Sequence, residues 1–182
     1  QEVIHTDVDL LRQLPVPKHN ELDGGPYITA GILIARNPET GIQNVAIHRC
    51  QIHGPNRIGI LLLPRHTQAY YRMASKAGRA LEIAIAIGVH PACLLASQII
   101  AALDEDEMEV AGALLGRAVE VVKCRTNSVR VPAHDEIVVE CATDIADKIA
   151  QIVSVTMVKA GKEFLPRVPV EADAKVTEAW LK

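Results

Sequence analysis

Aromatic residues are scarce in this 182-residue chain, which holds one Phe, one Trp and three Tyr. Since 49% of the chain is nonetheless apolar, Val, Ile, Leu and Ala must build its core. No apolar run reaches the roughly 18 residues that a membrane-spanning helix needs. Lys and Arg (19) do not outnumber Asp and Glu (22). No basic stripe is present either, which argues against a free-standing nucleic-acid-binding protein.

Signatures of several other protein classes are also missing. Residues 1–5 have neither the basic end nor the apolar stretch of a signal peptide, so we expect a cytoplasmic protein. Neither G-x-x-x-x-G-K-[ST] nor G-x-G-x-x-G occurs, which excludes the usual mononucleotide and dinucleotide loops. The cysteines are widely spaced without a C-x-x-C pair, which predicts reduced, mostly buried thiols rather than a disulfide framework or a zinc site. They are Cys50, Cys93, Cys124 and Cys141.

Apolar periodicity and turn residues predict a mixture of strands and helices. Strands are predicted over residues 27–35, 44–52, 58–63, 81–87, 119–124 and 128–131, with a turn at 37–41 that pairs the first two as a hairpin. Helices are predicted over residues 66–77, ending at Gly78, from Pro91 onward, and from the acidic run 104–107 onward. The C-terminal part is predicted to form a β-α-β unit, with a strand over 136–140, a helix capped by Thr143, and a strand over 168–176.

Three separated polar residues supply the ingredients of an oxygen-and-nitrogen metal site: Asn44, His66 and Glu107. By helical phase Glu107 lies on an apolar face, so its carboxylate needs a metal ion or an arginine as a partner. The alternative is an acid that only complements the N-terminus of its helix. For His66 the alternative is an ordinary residue at a helix start without a ligand role.

A regular strand places Asn44 and His48 on one face and Arg49 on the other. A single site that uses both Asn44 and Arg49 therefore needs a strand end, a bulge or strong twist between them. The alternatives are a turn-capping Asn44 and a solvated Arg49. Ser97 lies among apolar residues, where a serine usually hydrogen-bonds within its own helix.

Several stretches, in order and with few gaps, resemble the central cofactor domain of the UbiD-type decarboxylases. They are residues 14–19, 23–31, 44–49, 54–57, 64–66, 111–116 and 122–124, and the resemblance runs from residue 1 to about residue 139. It implies an α+β fold with a split β-barrel-like flavin-binding domain, followed here by the β-α-β unit. It also implies prenylated FMN as cofactor and the reversible, non-oxidative decarboxylation of aromatic or α,β-unsaturated carboxylic acids.

The same resemblance implies a divalent metal, manganese or magnesium, that binds the flavin phosphate and is held by Asn44, His66 and Glu107. An inward-facing Glu107 would thereby gain its counter-charge, and metal ions and arginine would neutralise the phosphate dianion. A neighbouring potassium site would receive contributions from Thr29 and Ser97.

Arg49 resembles the arginine of the family's catalytic glutamate-arginine-glutamate network, and would also contact the cofactor. The other cofactor-lining residues would be Ala46, Ile47, His48 and Arg65. The Glu-Gly-Pro-Phe-Gly-Glu-like stretch that carries the family's two catalytic glutamates has no match in this sequence. Ile100 stands where a proline is usual, and Arg125 stands where a glutamate commonly follows Lys-Cys.

Three functional hypotheses remain open. The first is a UbiD-like carboxy-lyase domain that binds cofactor more readily than it turns over, because the acid–base pair is absent. The second is a catalytically inactive, truncated or engineered chimera. The third is a subunit completed by a partner that brings the glutamates. The expected partners are a small aromatic or unsaturated carboxylic acid and a second copy or a partner subunit, with neither a membrane nor nucleic acid among them.

The tail is similar to the C-terminal end of family A DNA polymerases, through residues 133–141, 160–165, 168–171 and 178–180. By that resemblance Asp135 would be a magnesium ligand with Glu136 beside it. The polymerase's other palm carboxylate and its fingers helix have no counterpart, and one carboxylate cluster cannot build a two-metal site. We therefore predict no polymerase activity but a chimera of two domains, residues 1–132 and 133–182.

Overall fold

A computed structural model of the chain describes residues 3–6, 8–134 and 137–143, without the side chains of residues 141–143. One compact unit runs to Thr143, and residues 144–182 lie outside the described residues. Thr143 is the last residue of a strand, and the helix that it is predicted to cap lies outside the described residues. The predicted strand over 168–176 and the polymerase-like Asp135 and Glu136 also lie outside them. The predicted domain division after residue 132 stays a prediction.

The described residues form four helices and nine strands. The helices are α1 Leu10–Gln13, α2 His66–Lys76, α3 Pro91–Ala96 and α4 Glu107–Leu115. The strands are β1 Tyr27–Ile28, β2 Ile32–Arg36, β3 Gln43–Ile47, β4 Cys50–Gly54, β5 Arg57–Ile60, β6 Leu81–Ile87, β7 Val121–Lys123, β8 Arg130–Pro132 and β9 Ile137–Thr143. They make three antiparallel sheets with the orders β3-β2-β6-β9, β1-β4-β5 and β7-β8. The mixture of helices and antiparallel sheets agrees with the predicted α+β class, and barrel closure stays a prediction.

The four-stranded sheet is apolar on both faces, because β2 and β6 carry apolar residues at successive positions and not only at alternate ones. Ile83 and Ile85 of β6 face a core that contains α2 and strand β4. Ala84 and Ala86 face a second core that contains α3, α4 and strand β8. All four side chains are at least 98% buried. The small alanines therefore face the helices α3 and α4, and the larger isoleucines face α2.

Two of the predicted strands are wrong in their extent, because each is divided between two sheets. The predicted strand over 27–35 is β1 in one sheet and β2 in another, separated by residues 29–31. A Cβ on Gly31 would lie 2.9 Å from Ile28 Cγ2 and 3.0 Å from Ile85 Cγ2, so the chain changes sheets where only glycine fits. The predicted strand over 44–52 likewise divides into β3 and β4 at residues 48–49. The predicted hairpin is confirmed in the β2–β3 pairing.

Other predicted boundaries hold or shift for identifiable reasons. Helix α2 is followed by Gly78 in the left-handed region, with φ of 65°, and α3 has Pro91 in its first turn, both as predicted. Strand β5 ends at Ile60 and not at residue 63, because Ile60 pairs with Cys50, the first residue of β4. Beyond that point the chain has no partner strand, and Leu61 and Leu63 are exposed.

The described cysteines agree with the prediction of buried thiols. Cys50, Cys93 and Cys124 are buried and form no disulfide, whereas the side chain of Cys141 lies outside the described residues. The longest described helix, α2, has 11 residues. Within the described ranges, no helix has the length and apolar character needed to span a membrane.

Candidate metal and cofactor site

The first predicted ligand pair meets where strand β3 passes the start of helix α2. Asn44 lies on β3 and is 4% exposed. His66 is the first residue of α2, and its Nδ1 atom lies 3.1 Å from Asn44 Oδ1. An amide oxygen and an imidazole nitrogen, 22 residues apart in the chain, are thus brought into direct contact.

The third predicted ligand reaches the same strand from the opposite helix layer. Glu107 is the first residue of α4 and is 4% exposed. Its Oε2 atom accepts a hydrogen bond of 2.7 Å from the backbone N–H of Val45. Among the described strands β3 lies at the edge of its sheet and pairs only with β2, so this N–H has no partner in those strands and is available to the carboxylate. Asn44, His66 and Glu107 therefore converge on one edge of the sheet.

The electrostatics of Glu107 show a carboxylate without a full counter-charge. Burial is the largest influence and raises its pKa above the usual value. The hydrogen bond from Val45 opposes this shift, and the electrostatic attraction of His66 opposes it further. A buried carboxylate that neutral donors only partly compensate gains from a cation. The prediction from helical phase that Glu107 points inward is confirmed.

The donor set fits a small hard cation. In the structure His66 Nδ1 donates a hydrogen bond of 3.1 Å to Asn44 Oδ1. Adjacent ligands of an octahedral ion, each about 2.1 Å from it, lie about 3 Å apart, so an ion in the place of this proton would find the two atoms at a suitable spacing. Carboxylate and amide oxygens with one imidazole suit magnesium or manganese. Among the described residues, no three His, Cys, Asp or Glu side chains are grouped so as to hold a metal. The amide of Asn44 is therefore needed to complete a three-residue ligand set.

Sequence reasoning missed Thr67, which lies at the centre of this cluster. Its hydroxyl oxygen accepts from Asn44 Nδ2 at 3.2 Å and lies 3.2 Å from His48 Nε2. His48 Nδ1 lies 3.3 Å from the carbonyl oxygen of Leu61, and burial lowers the pKa of His48. The available signal was helical phase, because Thr67 shares the buried face of α2 with Tyr70.

Arg49, which is adjacent to His48, lies outside strand β3 and contacts Tyr27 of β1. Strand β3 ends at Ile47, so residues 48 and 49 lie in the link to β4. This is the strand end that a shared site would need. The guanidinium carbon of the exposed Arg49 lies 5.9 Å from the centre of the Tyr27 ring. This is a cation–π distance that holds the guanidinium at the junction of β1 and β4.

The structure does not place the remaining predicted site residues in contact with Asn44, His66 or Glu107. Arg65 is exposed at the N-cap of α2, and its side chain caps nothing. Thr29 is exposed between β1 and β2. Ser97 is buried and donates to the carbonyl of Leu94 at 2.7 Å, as the alternative prediction describes. Within the described ranges no hydrogen bond links any of them to Asn44, His66 or Glu107. Ala46 and Ile47, which are predicted to line the cofactor, are half-buried residues of β3.

A second, partly buried group of hydrogen-bonded side chains, also missed by sequence reasoning, connects α2 to the chain before α4. One oxygen of Asp104 accepts from Asn37 Nδ2 at 2.6 Å, from Thr40 Oγ1 at 3.2 Å and from the Tyr70 hydroxyl at 3.1 Å. Asp104 has a φ of 68°, which non-glycine residues adopt rarely. The sequence analysis placed Asp104 only in the acidic run that precedes a helix. Its position three residues before Glu107 shows instead that it anchors the approach to α4.

The family model for UbiD, the 3-octaprenyl-4-hydroxybenzoate carboxy-lyase Rift-related domain, matches residues 1–151. This chain belongs to the UbiD family. The match continues beyond the predicted junction at residue 132, and the polymerase-like origin of the UbiD chain's tail stays a prediction.

Curated relatives and solved structures agree with this assignment. Anhydromevalonate phosphate decarboxylase of Methanothermobacter thermautotrophicus is 45% identical over 130 residues, which are 71% of this chain and 30% of that protein. Phenolic acid decarboxylase of Bacillus subtilis is 35% identical over 142 residues, 75% and 30% of the two chains. Among solved structures, this chain is similar to an evolved dimeric form of the UbiD-class enzyme HmfF from Pelotomaculum thermopropionicum in complex with prFMN. The sequence identity is 57% and the TM-score is 0.74, over 76% of this chain and 33% of that chain. The chain thus spans about a third of the length of these proteins.

Proposed function

We propose that this chain is the cofactor-binding part of a UbiD-type decarboxylase, and that Asn44, His66 and Glu107 hold a manganese or magnesium ion which binds the phosphate of prenylated FMN. The observation that supports the proposal is that His66 contacts the Asn44 side chain on β3 while Glu107 binds the backbone N–H of the next residue, Val45. Family membership and the prFMN-bound relative support the choice of cofactor.

The surroundings of the proposed ion are suited to a phosphate. Helix α2 starts beside the ligand pair, has Arg65 at its N-cap and has no side-chain cap. A helix N-terminus carries partial positive charge and unpaired N–H groups, which favour anions. The buried Glu107 supplies negative charge on the other side. A divalent cation between them would neutralise both the carboxylate and part of the phosphate charge.

Arg49 is the residue that we assign to the substrate. Prenylated FMN, when bound, supplies the electron-accepting carbon chemistry that decarboxylation requires. The exposed guanidinium of Arg49, held over Tyr27, can pair with the carboxylate of an aromatic or α,β-unsaturated acid. Ala46, Ile47 and His48 are proposed to line the cofactor. Thr29 and Ser97 are proposed to contribute to a potassium site by resemblance alone.

Metal-dependent flavin binding tests this proposal directly. We expect Mn²⁺ to strengthen FMN binding, followed by flavin fluorescence, and Glu107→Gln to abolish that gain. Glu109→Gln is the matched control, because Glu109 lies in the same first turn of α4 but is exposed. Equal Mn²⁺ binding by wild type and Glu107→Gln, followed by the electron paramagnetic resonance of the free ion, would remove the proposed site.

The alternative function is cofactor binding without turnover, either as an inactive chimera or as a subunit that needs a partner. It is compatible with a chain that spans about a third of the length of its relatives, because the Glu-Gly-Pro-Phe-Gly-Glu-like stretch is not among these 182 residues. We expect the cofactor-loaded chain to bind small aromatic acids but to decarboxylate them slowly. Brisk turnover by the chain alone would contradict this expectation. Activity that appears only on mixing with a polypeptide carrying the missing glutamates would support the completed-subunit form.

A further inference from the structure

We infer that Thr67 is a positioning residue that fixes the amide of Asn44 with its oxygen toward the metal position, and that His48 fixes Thr67 in turn. The inference rests on the proposed metal site and adds residues that do not touch the ion. The juxtaposition that carries it is a line of side chains, from the buried Asn44 and Thr67 to the half-buried His48, that ends on the backbone carbonyl of Leu61.

The orientation of this amide decides whether a cation can bind. The oxygen and the NH₂ group of asparagine have nearly the same shape, so packing alone hardly distinguishes the two orientations. The oxygen is a ligand for a hard cation, whereas the NH₂ group presents hydrogens to it. Asn44 is 4% exposed, so bulk water does not supply an alternative partner for either end of the amide. Neighbouring side chains must therefore select the orientation.

The donor and the acceptor of each hydrogen bond in this line are fixed, because the line ends on a carbonyl oxygen that can only accept. Leu61 O can only accept, so His48 Nδ1 carries the imidazole proton and Nε2 is left as an acceptor. The Thr67 hydroxyl has a single proton, which it donates to Nε2. Its oxygen is then an acceptor toward Asn44, which requires Nδ2 and not Oδ1 on that side. The oxygen is thereby turned to His66 and the proposed ion.

Each step of this line passes between different elements. Asn44 lies on β3, Thr67 on α2, and His48 in the link after β3. Thr67 is 4% exposed, so the loss of its hydroxyl would leave the buried NH₂ group without an acceptor. An unsatisfied buried donor is unfavourable, and the opposite amide orientation would become competitive. The predicted consequence is weaker metal binding with the ligands themselves unchanged.

The test uses two substitutions at one position, with Mn²⁺ alone as the probe. Thr67→Val keeps the shape and removes the hydroxyl, and we expect the Mn²⁺ affinity to fall by about 10- to 100-fold, as is typical when a partner of a metal ligand is lost. Thr67→Ser keeps the hydroxyl and should restore affinity to within about 3-fold of wild type. Thr126→Val is the matched control, since it removes a hydroxyl that hydrogen-bonds Glu140 elsewhere, and it should bind Mn²⁺ like wild type.

The outcomes separate the inference from the proposal beneath it. If wild type binds Mn²⁺ and Glu107→Gln does not, the metal site stands, and wild-type affinity in Thr67→Val would then overturn the role of Thr67. Equal losses in Thr67→Val and Thr67→Ser would also overturn it, since a hydroxyl effect must be rescued by serine. If wild type fails to bind Mn²⁺, the metal site itself fails and the inference fails with it. Should Thr67→Val not fold, His48→Leu interrupts the same line one step further out, and undiminished Mn²⁺ affinity in that variant would overturn the inference.

Discussion

Helices α2 and α4 both begin beside strand β3, but their first turns have opposite character. Helix α4 is capped by Asp106, whose side chain accepts from the Met108 N–H, and it has Glu107 and Glu109 in its first turn. Helix α2 begins after Arg65, has no side-chain cap and has no acid in its first turn. Acids stabilise a helix start and an open start favours anions. The contrast agrees with the proposal, in which the cation lies beside Glu107 of α4 and the phosphate lies beside the start of α2.

The two helix starts are also linked to each other through Tyr70 and Asp104. Tyr70 lies on α2 and is fully buried, while Asp104 lies just before α4. This hydrogen bond connects the layer that carries His66 to the layer that carries Glu107. A substitution that removes this hydrogen bond weakens the link between the two layers without replacing any of the proposed metal ligands.

The largest expected effect on stability is that of Tyr70→Phe, which removes the hydrogen bond between α2 and the chain before α4. We expect a loss of about 1.5–3 kcal/mol in the free energy of unfolding, because a hydrogen bond to a carboxylate in the interior is removed. Urea denaturation at neutral pH measures it. An unchanged denaturation midpoint would show that α2 and the chain before α4 are held together by apolar packing alone.

The same tyrosine makes stability depend on alkaline pH. Burial, reinforced by the hydrogen bond and charge of Asp104, raises the pKa of Tyr70 well above its usual value. The folded state therefore keeps a proton that the unfolded chain loses above about pH 10. The free energy of unfolding should fall as pH rises through that value, by at most about 1.4 kcal/mol per pH unit. Tyr70→Phe should remove this part of the fall, and identical alkaline profiles would contradict the assignment.

A smaller effect is expected from removing the N-cap residues of the two helices in parallel. Asp106→Ala deletes a capping side chain and should cost about 1 kcal/mol of unfolding free energy. Arg65→Ala deletes a side chain that caps nothing and should change stability by less than about 0.5 kcal/mol. Thermal unfolding of both variants measures the difference. Equal losses of unfolding free energy in the two variants would show that the Asp106 cap does not stabilise α4 more than Arg65 stabilises α2.

The smallest effect is expected from giving α2 the acidic start of α4. Arg65→Asp supplies a cap but replaces positive charge by negative charge beside the proposed phosphate, so FMN binding in the presence of Mn²⁺ should weaken by about 2- to 5-fold. Arg65→Ser supplies a cap without the negative charge, and should raise stability by up to about 1 kcal/mol with a smaller loss of FMN affinity. Unchanged FMN affinity in Arg65→Asp would show that the start of α2 does not face the phosphate.

Local pattern was sufficient for the starts of α2, α3 and α4 and for the inward direction of Glu107, but it did not predict the short helix α1. The acidic run predicted the start of α4, and helical phase predicted the buried face on which Glu107 lies. Both features are set by residues within a few positions of one another. Whether this carboxylate is a metal ligand remains part of the proposal.

The corners of the sheets could not be predicted in the same way. Residues 27–35 read as one continuous strand, and only the contact of Gly31 with the distant Ile85 shows why the chain must turn there. Thr67 bonds Asn44 across 23 positions, and Asp104 bonds Asn37 across 67. Spacing along a chain does not reveal partners at such separations. Sequence analysis therefore named the proposed ligands but missed Thr67 and Asp104, which hydrogen-bond to residues far away in the chain.

The alanines of β6 have a consequence for how the site can change. Ala84 and Ala86 pack in the same core as Met108 and Ala111 of α4, so methyl groups set how closely that helix approaches the sheet. A larger side chain at either position would displace α4 outward and carry Glu107 away from Asn44. The metal preference of the proposed site is therefore expected to change with the size of these apolar core side chains, without replacement of any polar group.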